Sequence, residues 1–160
     1  DKFGTSPDDI VVVSPDFGSV TRARNFSRRL DAPIAIVDKR RQRANVCEVM
    51  NIIGDVKDKN VILVDDMIDT AGTLCNAAKA VREIGGAKEV YACATHGVLS
   101  GPAIERIEAS PIKEVVLLDT IPLTDEKKID KIVTLPVAPT FAEAIERIYE
   151  DKPLGTMFND

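Results

Sequence analysis

Apolar residues along this chain fall in short unbroken runs, separated by stretches with the periodicity of helices. Ile10 to Ser14 (IVVVS) is apolar up to its last residue, as expected of a parallel strand buried on both faces. The turn Ser14-Pro15-Asp16-Phe17-Gly18-Ser19 leads into a helical pattern with Val20, Ala23, Phe26 and Leu30 on one face. Pro33 to Asp38 (PIAIVD) reads as a second strand that ends at a basic cluster. Val46 to Val56 is ambiguous and is read as two short strands around Gly54. Val61 to Val64 (VILV) is again a buried strand, followed by a loop. A helix is predicted from about Thr73, with Leu74, Ala77, Ala78, Val81 and Ile84 on one face, and Gly85-Gly86 stops it. Glu89 to Thr95 and Glu114 to Leu118 read as strands, with a short Pro-started helix near Pro102 between them. Lys131 to Leu135 reads as a last strand. Thr140 and Glu143 have the spacing of a capping box for a final helix carrying Phe141, Ala144, Ile145 and Ile148. The alternation predicts an α/β fold, a mainly parallel β-sheet flanked by helices, with the chemistry at the carboxyl ends of the strands.

Composition narrows the possibilities. A chain of 160 residues can bury a core of its own, and its formal net charge of −5 argues against general binding to nucleic acid or anionic membranes. No apolar run is long enough for a bilayer and no signal-peptide pattern is present. Cys47, Cys75 and Cys93 lack metal-ligand spacing and read as small hydrophobes in a reducing compartment, which points to the cytoplasm. Asp1 to Asp9 reads as a polar connector and residues 10–160 as one domain, so the chain is expected to be a piece of a longer protein.

The chemistry concentrates between Val61 and Thr73. An apolar strand delivers Asp65 and Asp66, and after Met67 and Ile68 comes Asp69-Thr70-Ala71-Gly72-Thr73, where a helix should begin. Successive backbone N–H groups in such a turn, together with the helix N-terminus, form a phosphate cradle. Ala71 and Gly72 let the backbone approach closely, and Thr70 and Thr73 can add hydroxyl donors. Asp65 and Asp66 would repel a phosphate; they suit the hydroxyls of the sugar attached to it, or a hydrated Mg²⁺. Asp65-Asp66-Met67-Ile68-Asp69 also fits the DDxxD pattern of isoprenoid diphosphate synthases, but those aspartates sit on a helix, and here a strand precedes them.

This segment resembles the fingerprint shared by type I phosphoribosyltransferases and phosphoribosyl diphosphate (PRPP) synthetases. Ala71, where many transferases carry a second glycine, suits the synthetases. Asp38-Lys39-Arg40-Arg41 resembles the mobile catalytic loop of the synthetases, and Asn45-Val46-Cys47-Glu48-Val49-Met50 continues that likeness. Gln42 replaces a proline common in the family. By this resemblance Lys39 and Arg41 are catalytic cations over ATP, while Arg40 and Arg43 are solvated. Ser14-Pro15-Asp16-Phe17-Gly18-Ser19, with Arg22-Ala23-Arg24, resembles a further synthetase segment whose aspartate helps hold Mg²⁺. Asp16 is therefore the metal candidate, against the alternative of an Asx turn after a strand. Ser19 departs from the double glycine usual there.

The resemblance covers nearly the whole chain but about half of a family member. It implies the carboxy-terminal, ribose-5-phosphate-binding half of a ribose-phosphate diphosphokinase, with a type I phosphoribosyltransferase-like fold and MgATP as co-substrate. The isolated half is expected not to turn over, and the family commonly forms hexamers. Two rival readings are a type I phosphoribosyltransferase, for which no base-recognition hood is evident, and a non-catalytic synthetase-associated subunit, which would be free to lose the cations and acids kept here. His96, the one histidine, reads as a structural hydrogen-bonder within Thr95-His96-Gly97-Val98-Leu99-Ser100-Gly101. Glu105/Arg106 and Glu146/Arg147 read as solvated helix faces. The tail Gly155-Thr156-Met157-Phe158 reads equally as a subunit contact or a frayed end.

Overall fold

A computed structural model describes residues 9–40 and 49–158. Its strands are β1 (Ile10–Ser14), β2 (Ile34–Arg40), β3 (Val49–Ile53), β4 (Asn60–Ile68), β5 (Glu89–Gly97), β6 (Ile112–Leu118) and β7 (Ile132–Leu135). They form one sheet in the order β3-β2-β1-β4-β5-β6-β7, parallel throughout except for β3, which pairs antiparallel with β2 at the edge. The expected α/β fold with a mainly parallel sheet is present.

Strand alternation divides the core between the two faces. Val11, Val13, Val61, Leu63, Val90, Ala92, Val115 and Leu117 point to one face, under α2 (Gly72–Lys79) and α3 (Ala103–Ala109). Ile10, Val12, Ile62 and Val64 point to the other, where Ala23 of α1 (Val20–Leu30) meets them. Leu63 is fully buried, and such a side chain contributes about 1.5–3 kcal/mol by leaving water. Beyond α1 the second face is less covered. A cleft of about 420 Å³ opens there, lined by Phe26, Tyr91, Cys93, Val116, Leu118 and Leu135 among others. The final helix, α4 (Ala138–Tyr149), leaves Phe141, Ile145 and Ile148 each more than 60 % exposed.

Several elements depart from the sequence reading. A single strand, β3, ends before Gly54, and no strand follows it before β4. Gly54 has φ +112°, and a Cβ there would lie 2.8 Å from that of Ala35, so the chain turns away against β2 instead of pairing again. After α2, Ala80–Ile84 forms one π-helical turn, with the Gly85 N–H donating to Ala80 O at 3.0 Å. This wider turn carries Ile84 off the buried face, and it is 69 % exposed. The predicted capping box is absent, since α4 starts two residues before Thr140 and makes no side-chain cap. Asp119, just past β6, accepts the Val137 N–H at 2.8 Å instead, while Glu143 pairs with Arg147 (2.9 Å). Arg147 is therefore no idle surface cation: it also donates to Thr156 Oγ1 at 2.7 Å and ties the tail to α4. Among the described residues, no helix is long and apolar enough to cross a membrane.

Candidate functional site

Because β1, β2 and β4 are parallel, their carboxyl ends meet at one end of the sheet. β4 reaches further than its apolar run: it continues through Asp65, Asp66 and Met67 to Ile68, pairing along β5 as far as Gly97. The two acids are thus held in the strand ladder and not in a loose turn. β1 ends in the turn that carries Asp16 and leads into α1.

That turn reaches across to the acids. Ser19 Oγ donates to Asp65 Oδ1 at 2.7 Å, and the Asp66 N–H donates to the same oxygen at 2.9 Å. Arg22, one helical turn on, donates to Asp66 Oδ2 at 2.9 Å and to Ser19 Oγ at 3.3 Å, and lies 3.6 Å from Asp65. The two carboxyls are driven apart electrostatically. Desolvation raises the Asp65 pKa, against the lowering effect of Ser19 and the Asp66 amide. At Asp66 a desolvation push upward is outweighed by the hydrogen bond with Asp65 and the Arg22 charge, and its pKa falls. One partly buried carboxyl that holds its proton longer thus sits beside an exposed one that stays ionised. Ser19 and Arg22, one turn apart where α1 begins, thus take a role that the sequence reading left unassigned.

The loop after β4 has the geometry of a cradle. Asp16, Asp65, Asp69, Thr70, Ala71, Gly72 and Thr73 all line one pocket of about 140 Å³, together with Met67, Ile68 and Leu74. Ala71 adopts φ +58° and acts as the N-terminal cap of α2, so the backbone turns sharply where the helix amides begin. Asp69 accepts a hydrogen bond from Ser100 Oγ. Arg106, expected on a solvated face, instead reaches from α3 and donates to Thr70 O at 2.9 Å.

Asp16 shares that pocket, and its Oδ1 also accepts the N–H of Ser19 at 3.0 Å, three residues on and so one beyond the span of an Asx turn. Among the described residues no group of three metal-ligating side chains gathers. Paired carboxylate oxygens on a pocket do fit Mg²⁺, which uses one or two of them and fills its shell with water and substrate phosphate. Lys39 is in β2 by its backbone, in register with Met50. Arg41, with Gln42, Arg43 and the stretch from Asn45 to Glu48, lies outside the described residues, as do Asp1 to Asp8. His96 Nδ1 lies 2.9 Å from Thr120 Oγ1, whose own hydrogen goes to Thr95 O, so the imidazole donates and ties β5 to the segment after β6. Cys75 is buried, and burial pushes the Cys93 thiol up to about 11.

A family model described as the phosphoribosyl synthetase-associated domain matches residues 41–159. The chain is 69 % identical over 151 residues to the ribose-phosphate pyrophosphokinase of Caldanaerobacter subterraneus subsp. tengcongensis, covering 94 % of this chain and 48 % of that protein. It is 64 % identical over 156 residues to that of Clostridium acetobutylicum, covering 98 % and 49 %. It superposes on the phosphoribosylpyrophosphate synthetase from Mycobacterium smegmatis with a TM-score of 0.83 at 39 % identity, over 93 % of this chain and 48 % of that one. The orotate phosphoribosyltransferase from Aeropyrum pernix shares the fold, with a TM-score of 0.56 at 16 % identity over 88 % of this chain and 67 % of that one. The chain spans about half the length of the curated relatives it matches.

Proposed function

The chain belongs to the phosphoribosyl synthetase-associated domain family, and from that membership and the site at the end of β4 we propose that it is the ribose-5-phosphate-binding half of a ribose-phosphate diphosphokinase. The observation that carries the reading is one pocket shared by Asp65 and the backbone of Asp69 to Thr73. A sugar phosphate needs both: carboxylates for its hydroxyls, and amides with a helix N-terminus for its phosphate.

In the whole enzyme, the 1-hydroxyl oxygen of ribose 5-phosphate attacks the β-phosphorus of ATP. The bond from that phosphorus to the oxygen bridging the α- and β-phosphates breaks, AMP leaves with the oxygen, and the hydroxyl proton passes to solvent. The residues from Asp69 to Thr73 anchor the 5-phosphate, which fixes the far end of the sugar and aims the 1-hydroxyl. Asp65, which lines that pocket, and Asp66, kept ionised beside Arg22, accept from ribose hydroxyls or hold metal. Lys39 and Arg41 supply positive charge to the transferring oxygens. Asp16 would hold Mg²⁺, which when bound neutralises diphosphoryl charge. The products are PRPP and AMP. The relatives' greater length supports a reading in which the remaining ATP contacts come from elsewhere in the protein. We place the enzyme in the cytoplasm, as a homo-oligomer, hexameric by the family resemblance.

Calorimetric titration with ribose 5-phosphate, using unphosphorylated ribose as control, tests this. Saturable binding that needs the 5-phosphate and is lost in Thr73→Ala is expected; equal heats for the two sugars would refute the cradle.

A further inference from the structure

Three consecutive carbonyls of the cradle loop are held from the same side. Ile68 O accepts from the Leu99 N–H at 3.0 Å, Asp69 O from the Ser100 N–H at 3.0 Å, and Thr70 O from Arg106 Nη1 at 2.9 Å. All three donors belong to the segment that leaves β5 and runs into α3. A trans peptide points its C=O and its N–H in opposite directions. Fixing these carbonyls toward α3 therefore turns the N–H groups of Asp69, Thr70 and Ala71 the other way.

Leu99 and Ser100 contribute backbone, but Arg106 contributes a side chain, so residue choice matters there. Gly72 shows the same constraint from the other direction. It is not among the glycines with positive φ, so its backbone does not demand glycine, yet a Cβ at Gly72 would come within 3.3 Å of Arg106 Nη1. Arg106 lines a cleft of about 430 Å³ with Gly72, Cys75, Asn76 and Lys79, and it does not line the cradle pocket. It thus reaches the loop from behind. A cation beside the N-terminus of α2 works against the dipole of that helix, so the stability of α2 does not account for its placement. The same charge favours an anion bound in front of the loop.

We propose that Arg106 is a positioning residue for the phosphate cradle: it holds the Thr70 carbonyl so that the loop amides are set for the 5-phosphate before ligand arrives. This rests on the ribose-5-phosphate reading above, and two measurements on Arg106→Met separate the two ideas. The first needs no ligand: amide exchange of the full chain followed residue by residue by NMR. Exchange at Ser100, whose N–H is bonded to Asp69 O in the same loop, should quicken about threefold or more, with the centre of β4 unchanged and the melting temperature moved by no more than about 4 °C. The second is the ribose 5-phosphate titration, where affinity should fall about three- to tenfold, the range for one partly exposed hydrogen bond from a charged donor. Arg106→Lys, which keeps a cationic donor, should recover most of it. Unchanged exchange at Ser100 would overturn the proposal whatever binds, as would full affinity in the methionine variant. Quickened exchange in a chain whose wild type ignores ribose 5-phosphate would instead keep the brace and discard the ligand.

Discussion

Replacing Ser19 by Ala removes one oxygen from a place where its loss can be followed. Ser19 is 5 % exposed and donates at 2.7 Å to Asp65, whose side chain is 14 % exposed. Although Ser19 stands at the N-cap position of α1, its side chain makes no cap hydrogen bond, so helix capping does not enter the balance. A hydrogen bond to a charged group contributes about 1.5–3 kcal/mol. The Asp66 amide and Arg22 remain near the same carboxylate, which places the expected cost at the low end, about 1.5 kcal/mol. For a domain of this size that is a fall in melting temperature of about 3–6 °C near neutral pH. The pH dependence is the sharper part. A carboxyl whose folded-state pKa lies above its ordinary 3.8 stabilises the fold while it keeps its proton. That contribution is complete below 3.8 and is lost as pH rises through the raised value. Ser19 lowers that value, so the alanine variant loses the contribution at a higher pH than wild type. Its deficit is therefore largest near neutrality and shrinks as the pH falls through Asp65's titration, where only a neutral hydrogen bond is missing. Thermal melts of both proteins from pH 7.5 down to 4 measure this. A deficit of constant size across that range would refute the assigned link between Ser19 and the Asp65 charge.

Two further outcomes follow from the same end of the sheet. Ala71→Gly relieves a left-handed residue that costs roughly 1–2 kcal/mol, against about 0.4–1 kcal/mol of added unfolded-state entropy and about 0.8 kcal/mol for the buried methyl, so the variant should melt within about 3 °C of wild type in calorimetry. On the proposed reading, Lys39→Ala in the complete enzyme should lower turnover by roughly two to three powers of ten, the size seen when one group stabilising transition-state charge is lost, while calorimetry shows ribose 5-phosphate still bound.

Much of the fold was legible because buried strands announce themselves. Ile10 to Ser14 and Val61 to Val64 had no room for a helical period, and both became central strands. What escaped was whatever depended on a distant partner. Nothing near Val64 says that its strand carries on through two aspartates; pairing with Ala94, His96 and Gly97 of β5 decides it. Thr140 and Glu143 had the right spacing for a cap, but Asp119, eighteen residues before Val137, takes the amide instead. The site divides in the same way. That Asp65 and Asp66 would stand next to the loop from Asp69 to Thr73 was readable because strand, loop and helix run consecutively. Ser19, Arg22 and Arg106 act across 46, 44 and 36 residues, and local pattern carries no trace of such pairings. Arg106 looked like half of a surface pair with Glu105 because the carbonyl it serves belongs to another element.

The bare apolar band on α4 bears on how the chain's stability is distributed. Phe141, Ile145 and Ile148 leave much of their surface in water, so α4 draws little from the hydrophobic term that holds β4 and α2 in place. Its ties to the rest are mainly polar, through Asp119 at its start and Arg147 toward the tail. A helix held in that way opens separately from the core and at lower cost, so heating this chain releases its last turns before the sheet that carries the loop after β4. Whatever covers those three side chains adds to the stability of α4 in step with its own affinity and concentration.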